Sequence, residues 1–227
     1  MTRFAQDERH ALARLMLDVG SFAPTLCQGW TTHDLAAHLV ARERRLDAAP
    51  GLMFENASGW TEHVREKYKA RYDYEQLVEM VRKGPPLWSP MRIPRVDEVV
   101  NHIEFFVHHE DVRRAGSTWA PRDLTGEQEA VLWSGLRRMA PRLVRNARSG
   151  VMLEALGVDQ LVISDVPETT PLAANEFVAK AGQPEVTVRG LPSELLLFCY
   201  GRTGATRVQL RGDATAAELL PKSGLGL

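Results

Sequence analysis

The chain has only two cysteines among its 227 residues, Cys27 and Cys199, and they stand far apart with no CxxC spacing. That excludes a disulfide framework and a cysteine-built zinc knuckle, and it leaves two reduced thiols as the expectation. Cys27 falls in a loop just ahead of a helix start, where the helix dipole favours a thiolate; the plainer alternative is a small packed side chain. A surplus of either charge is also missing, since 28 Lys and Arg face 29 Asp and Glu for a formal net charge of -1. Without excess positive charge, the term that drives non-specific nucleic-acid binding is absent, so no nucleic-acid partner is expected. No run approaches the ~20 apolar residues of a membrane span. The start, Met1 to His10, is charged throughout and offers no signal-peptide core. The expected location is the cytoplasm, with no membrane partner.

What is present is an ordinary globular composition, 44% hydrophobic and 25% charged, long enough for one large domain or two small ones. Phe4, Leu12, Leu15, Met16 and Val19 recur at helical spacing and predict an amphipathic first helix that stops at Gly20. Thr31 followed three residues later by Asp34 resembles a capping box and predicts a second helix to about Ala48, ended by Pro50 and Gly51. Ser58 to Lys83 reads as one or two exposed helices ahead of the breaker-rich loop Gly84 to Pro90. Arg95 to Ala115 is the most periodic helix, with Val96, Val100, Ile103 and Val107 on one stripe, and a last long helix is expected from about Thr125 to Arg148 with a kink at Pro141. Four principal helices with one apolar stripe each imply a bundle over residues 1–148. Beyond Gly150 the texture changes. Strands are expected at Gln160–Ser164, Glu185–Arg189 and Thr206–Leu210, with a short helix from Ser193 to Tyr200, giving a small α+β domain over 151–227. The fold class is therefore α+β.

The chemistry concentrates between Asn101 and Asp111. At about 100° per residue, Glu104, His108 and Asp111 lie along one edge of the apolar stripe and lean into the bundle, whereas His102 and His109 lie opposite it and are expected to face water. A carboxylate and an imidazole four residues apart project side by side and can hold one metal ion. They need a third donor from a neighbouring helix, and the second helix offers His38 beside Leu35 and Leu39. His38, Glu104 and His108 would leave a coordination position open, the pattern of a catalytic zinc site, with Asp111 accepting a hydrogen bond from a ligand imidazole. Two imidazoles and a carboxylate suit zinc, and they also accept nickel, cobalt, iron or manganese. From spacing alone the alternative stands: a helical Glu–His pair without metal and a core-edge histidine bonded to a carbonyl. Arg42, one turn after His38, is either a snorkelling surface residue or a cation that clamps a substrate carboxylate. Trp30 reads as a core anchor, and His10, His33 and His63 as solvent-facing.

The segments Gly29-Trp30-Thr31-Thr32-His33-Asp34-Leu35-Ala36-Ala37-His38-Leu39 and Glu104-Phe105-Phe106-Val107-His108-His109-Glu110-Asp111 resemble the two signature segments of the mycothiol-dependent maleylpyruvate isomerase-like proteins, members of the DinB-like metal-binding superfamily. The resemblance covers residues 1–148 and extends more loosely to Val186–Leu197 and Gly201-Arg202, similar to the family's second, SCP2-like domain. It is nearest to an actinobacterial branch of metal-binding proteins. The resemblance implies a DinB-like four-helix bundle with zinc ligands at His38, Glu104 and His108. It also implies a low-molecular-weight thiol, mycothiol, as co-substrate, attacking a small electrophilic substrate in an isomerisation or S-transfer. A zinc-water hydrolase and a non-catalytic metal-binding or ligand-sensing protein are the alternatives that the same open position allows.

Overall fold

The structure, a computed structural model, describes residues 4–44, 58–86, 94–157 and 175–226. They contain helices and a four-stranded sheet and fall into two compact units, Met1–Trp119 and Ala120–Leu227. The seam expected between 148 and 151 thus lies inside the second unit. No helix among the described residues is long and apolar enough to cross a membrane.

The first unit is helical: α1 (Phe4–Val19), α2 (Thr32–Arg44), α3 (Ser58–Arg71), α4 (Tyr74–Lys83) and α5 (Pro94–Arg113). Helix α1 buries Ala5, Glu8, Arg9, Leu12, Ala13 and Met16, a stripe of threes and fours, and ends where Gly20 takes φ 82° and donates its N–H to Met16 O at 3.0 Å. Helix α2 opens as the sequence predicts. Asp34 Oδ2 accepts from the Thr31 N–H at 2.9 Å and from the Thr31 hydroxyl at 2.7 Å. Leu35, Ala36, Ala37, Leu39 and Val40 then enter a core shared with Leu12, Met16, Leu77, Val78, Val81 and Phe105, each large aliphatic contributing about 2 kcal/mol by leaving water.

The stretch from Ser58 to Lys83 forms two helices, and the second is a core element rather than an exposed one. Charges at Glu75, Glu79, Arg82 and Lys83 conceal its period, while Tyr74, Leu77, Val78 and Val81 make its buried face and the Tyr74 hydroxyl donates to Met16 O at 2.6 Å. Gly84 ends it at φ 75°, against the Arg9 guanidinium, where a Cβ would come within 3.1 Å of Nη1. The expected helix end at Pro50-Gly51, the loop residues from Leu87 to Pro90 and the strand Gln160–Ser164 lie outside the described residues, as do the side chains of Val96 and Val100.

His102 and His109 do not face water: they are 4% and 7% exposed. Helix α1 packs along that side of α5, so both faces of α5 are covered. The Phe4 ring lies 5.7 Å from that of His102, and Glu8 Oε1 is 2.7 Å from His109 Nδ1. His10 and His63 are exposed as expected, whereas His33 is half-buried with its ring 5.7 Å from that of Tyr74.

The second unit joins α6 (Gly126–Leu143) to a sheet of β1 (Gly150–Ala155), β2 (Glu176–Lys180), β3 (Glu185–Gly190) and β4 (Gln209–Gly212), with α7 (Pro192–Cys199) and α8 (Ala214–Leu219). Strand order is β2-β1-β3-β4, with β1 and β3 parallel and both outer pairs antiparallel. Val151, Leu153 and Ala155 of β1 and Val186 and Val188 of β3 point to the buried side, against α7, all of whose residues are buried. Thr125 caps α6 by accepting from the Gln128 N–H at 3.3 Å, and Pro141 falls in that helix's last turn. Glu129 of α6 caps the start of α7, accepting from the Ser193 N–H at 2.8 Å and its hydroxyl at 2.7 Å.

Asp34 ties α2 to α3. Burial would raise its carboxyl, but the Lys69 ammonium at 2.6 Å and the Thr31 bonds outweigh it and bring the pKa from 3.8 to about 2. A carboxyl depressed on folding stabilises above its unfolded value and loses that contribution as pH falls toward the folded value. The stability difference between wild type and Asp34→Asn is therefore expected at about 1 kcal/mol near neutrality, discounted for Lys69 being partly solvated, and should shrink as pH drops from about 4 to about 2. Urea unfolding across that range checks it; a difference that does not depend on pH contradicts it.

Candidate metal centre

Two helices and one loop build the site. Helix α5 carries Glu104, His108 and Asp111 at steps of four and three, so they share one edge. Helix α2 carries His38 and Arg42 one turn apart. The loop before α2 is pinned by a Pro24–Thr31 bridge and by the Leu26 N–H donating to Asp111 O at 3.0 Å, which brings Cys27 and Trp30 to the same place.

One donor atom each from His38, Glu104 and His108 lie within 4.8 Å of one another. Glu104 Oε1 is 3.5 Å from His38 Nε2 and 3.2 Å from His108 Nε2. Those separations match the edges of a tetrahedron around a metal ion, about 3.4 Å for bonds of about 2.1 Å. The donor set fits a divalent ion: two imidazoles and one carboxylate, both histidines buried. His38 Nδ1 is buried with no hydrogen-bond partner among the described residues. A second group, Cys27, His108 and Asp111, also has donor atoms within 4.8 Å of one another. Asp111 Oδ2 accepts from the Cys27 thiol at 3.2 Å and faces His108 Nδ1 at 2.9 Å.

The surroundings push Glu104 and His108 toward their charged forms and His38 toward its neutral one. Burial would push Glu104 up, but the Arg42 guanidinium and bonds from His108 and His38 hold it well below the usual carboxylate range, with Arg42 Nε 3.4 Å from Oε1. Burial would push His108 down, but its bonds to Asp111, Cys27 and Glu104 hold it well above the ordinary imidazole value. His38 goes the other way: burial lowers it, assisted by the His108 and Arg42 charges, and the bond to Glu104 does not make up the difference. Without metal the surroundings thus favour the protonated form of His108, beside Glu104 and Asp111, and the neutral form of His38.

The structure brings together every residue the sequence singled out here. Arg42 is not a solvated surface arginine; its guanidinium lies between Glu104 and Asn101, donating to Asn101 Oδ1. Trp30 is half-buried against the core and stands at the site wall, its ring 5.0 Å from that of His38 and 4.7 Å from the Arg65 guanidinium. Cys27 and Asn101 were not named from the sequence as members of the site. Asn101 sits one turn before Glu104, on the same edge, so helical phase alone would have found it. Cys27 depends on the path of a loop.

Asp111→Ala removes a fully buried acceptor from both His108 Nδ1 and Cys27. Leaving such groups unpaired in the interior costs about 1–3 kcal/mol, so urea unfolding of the metal-free variant should show a loss in that range. A loss below about 0.5 kcal/mol would mean that solvent replaces the carboxylate.

No family model matches the chain, and no curated protein matches it. Among solved structures, the chain is similar to the crystal structure of the mycothiol-dependent maleylpyruvate isomerase, at 16% identity and a TM-score of 0.49, over 94% of this chain and 91% of that one.

Proposed function

We propose that this chain is a divalent-metal protein, with zinc the first expectation, whose ligands are His38, Glu104 and His108, and that it works as a mycothiol-dependent isomerase or S-transferase on a small electrophilic substrate. The observation that carries the metal reading is the convergence of three donor atoms from α2 and α5 within 4.8 Å. The thiol reading draws on the resemblance of the two motif segments and on charge. Glu104 and two neutral imidazoles leave a dication with a net positive charge, and Arg42 beside Glu104 is offset by the Asp111 carboxylate behind His108, so a positive surplus stays at the open position. A fourth ligand that is anionic, a thiolate or a carboxylate, suits such a site better than a neutral one. A zinc ion bound there would supply Lewis acidity and deprotonate a coordinating thiol near neutral pH.

The chain's own residues have distinct tasks in this reading. Asp111 accepts the Nδ1 proton of His108, which turns the Nε2 lone pair toward the shared point. Arg42 keeps Glu104 ionised and can meet a substrate carboxylate at the same edge. Trp30 packs its ring beside His38 and would help to hold that imidazole in place. The DinB-like four-helix bundle over residues 1–148 and the SCP2-like domain over 151–227 belong to the same proposal.

Zinc titration with a chelating dye in competition is expected to give one ion per chain, lost in His38→Ala and in His108→Ala, and weakened about 10–100-fold in Asp111→Asn. Because His108 must give up a proton that it holds above the ordinary imidazole range, apparent zinc affinity should keep rising with pH beyond 6.5 rather than level off there. Calorimetry of mycothiol binding to the zinc-loaded chain tests the thiol. Binding to the zinc form but not the metal-free form supports it; no binding removes it, and turnover that persists without any thiol points to a zinc-water hydrolase instead.

A further inference from the structure

The geometry points to a second cation position, formed by Cys27, His108 and Asp111, that takes a thiophilic divalent ion and competes with the first for a single imidazole. Three observations carry it. The Cys27 sulfur, one His108 nitrogen and one Asp111 oxygen lie within 4.8 Å of one another, which makes a mixed thiol, imidazole and carboxylate set rather than an isolated cysteine. Asp111 is completely buried between its two neighbours, 3.2 Å from the sulfur and 2.9 Å from Nδ1, while Cys27 is half-buried and so reachable from outside. The loop that bears Cys27 is fixed to α5 through the Leu26 N–H on Asp111 O, so the sulfur is held in place by backbone rather than by chance packing.

The two positions lie on opposite sides of the His108 ring. Nε2 faces Glu104 at 3.2 Å, and Nδ1 faces Asp111 at 2.9 Å. A neutral imidazole has one lone pair and one N–H. With an ion on Nδ1, the remaining proton sits on Nε2 and donates to Glu104, so the first set is reduced to a hydrogen-bonded pair plus His38. Occupation of either position therefore dismantles the other. The ligand chemistry separates them as well. Sulfur favours soft ions, whereas two imidazoles with a carboxylate suit borderline ones. A thiolate and a carboxylate neutralise a dication completely, whereas the first position leaves excess positive charge. Cadmium is the ion class that this second set should prefer, and its binding there withdraws His108 from the proposed zinc site.

Cadmium alone, added to metal-free His38→Ala, isolates the second position because the first has lost a ligand. The expected result is one cadmium per chain by equilibrium dialysis, with a sulfur-to-cadmium charge-transfer band in the ultraviolet, and loss of that band in His38→Ala combined with Cys27→Ser. If His38→Ala does not fold by circular dichroism, Glu104→Ala serves in its place. Cadmium binding without the band, no cadmium binding, or a band that survives Cys27→Ser would each overturn the inference. Failure of the zinc reading is a separate result, because it is seen as absent zinc binding in the wild-type chain, which this measurement does not use.

Discussion

One imidazole between two carboxylates governs the centre of the first unit. His108 presents Nδ1 to Asp111 and Nε2 to Glu104, so its ring plane is fixed from both ends. Carboxylates in a protein interior are expensive unless they are paired and hydrogen-bonded. Here Glu104 has Arg42 and the two histidines, and Asp111 has His108 and the Cys27 thiol. Without metal, Arg42 lies against Glu104, and Asp111 holds His108 toward its protonated form. The carboxylates of the site thus have partners without an ion, while His38 Nδ1 has none among the described residues.

The scaffold around that ring follows from the same need. Helix α5 cannot present a polar edge inward unless its neighbours supply partners on every side, and they do so from three separate parts of the chain. Helix α2 brings His38 and Arg42 to one side, and the loop before it brings Cys27. Helix α1 meets the other face, where Glu8 pairs with His109 and Arg9 pairs with Glu43 of α2 beneath its contact with the Phe105 ring. Arg9 also donates to Val81 O at 3.2 Å, which closes the end of α4. Buried ion pairs of this kind contribute little net stability compared with apolar packing, but breaking one leaves an uncompensated charge. They fix register more than they add strength, and register is what the converging donors need.

Features set by local periodicity or capping could be read from the sequence. The Thr31–Asp34 cap, the span of α5 and the short helix after β3 all have their causes within one or two turns; of the stripe expected on α1, Leu12 and Met16 are buried, while Phe4 and Leu15 are half-buried and Val19 is exposed. The phase of Glu104, His108 and Asp111 is equally local. What could not be read depends on partners distant in sequence. His102 and His109 look solvent-facing because they oppose the apolar stripe, and only the packing of α1 shows that this side is buried too. Strands β1 and β2 were missed because Gly150–Ala155 is rich in residues that also favour helices and Glu176–Lys180 is a five-residue stretch with three consecutive apolar residues between two charges and no alternation. The last expected strand, Thr206–Leu210, lies earlier than the observed Gln209–Gly212, whose register follows from pairing with β3. The position of Cys27 beside Asp111 could not be read for the same reason: it is set by the bond from the neighbouring Leu26 N–H to Asp111 O, many residues away.

The electrostatic contrast within the site bears on what it can select. Donors alone do not distinguish a thiol enzyme from a hydrolase, since both begin from an open position beside the same three residues. Charge does discriminate. Arg42 Nε lies 3.4 Å from Glu104, so any species joining an ion at that point meets two positive centres instead of one. Water would gain from such a field only by losing a proton, whereas a thiolate or a carboxylate arrives already charged and keeps more of the attraction in a partly desolvated site. The half-buried Trp30 ring lies beside His38, 5.0 Å between centroids, so one neighbour of that imidazole is apolar. In the proposed reading, that local charge would favour an anionic ligand over neutral water at the open position.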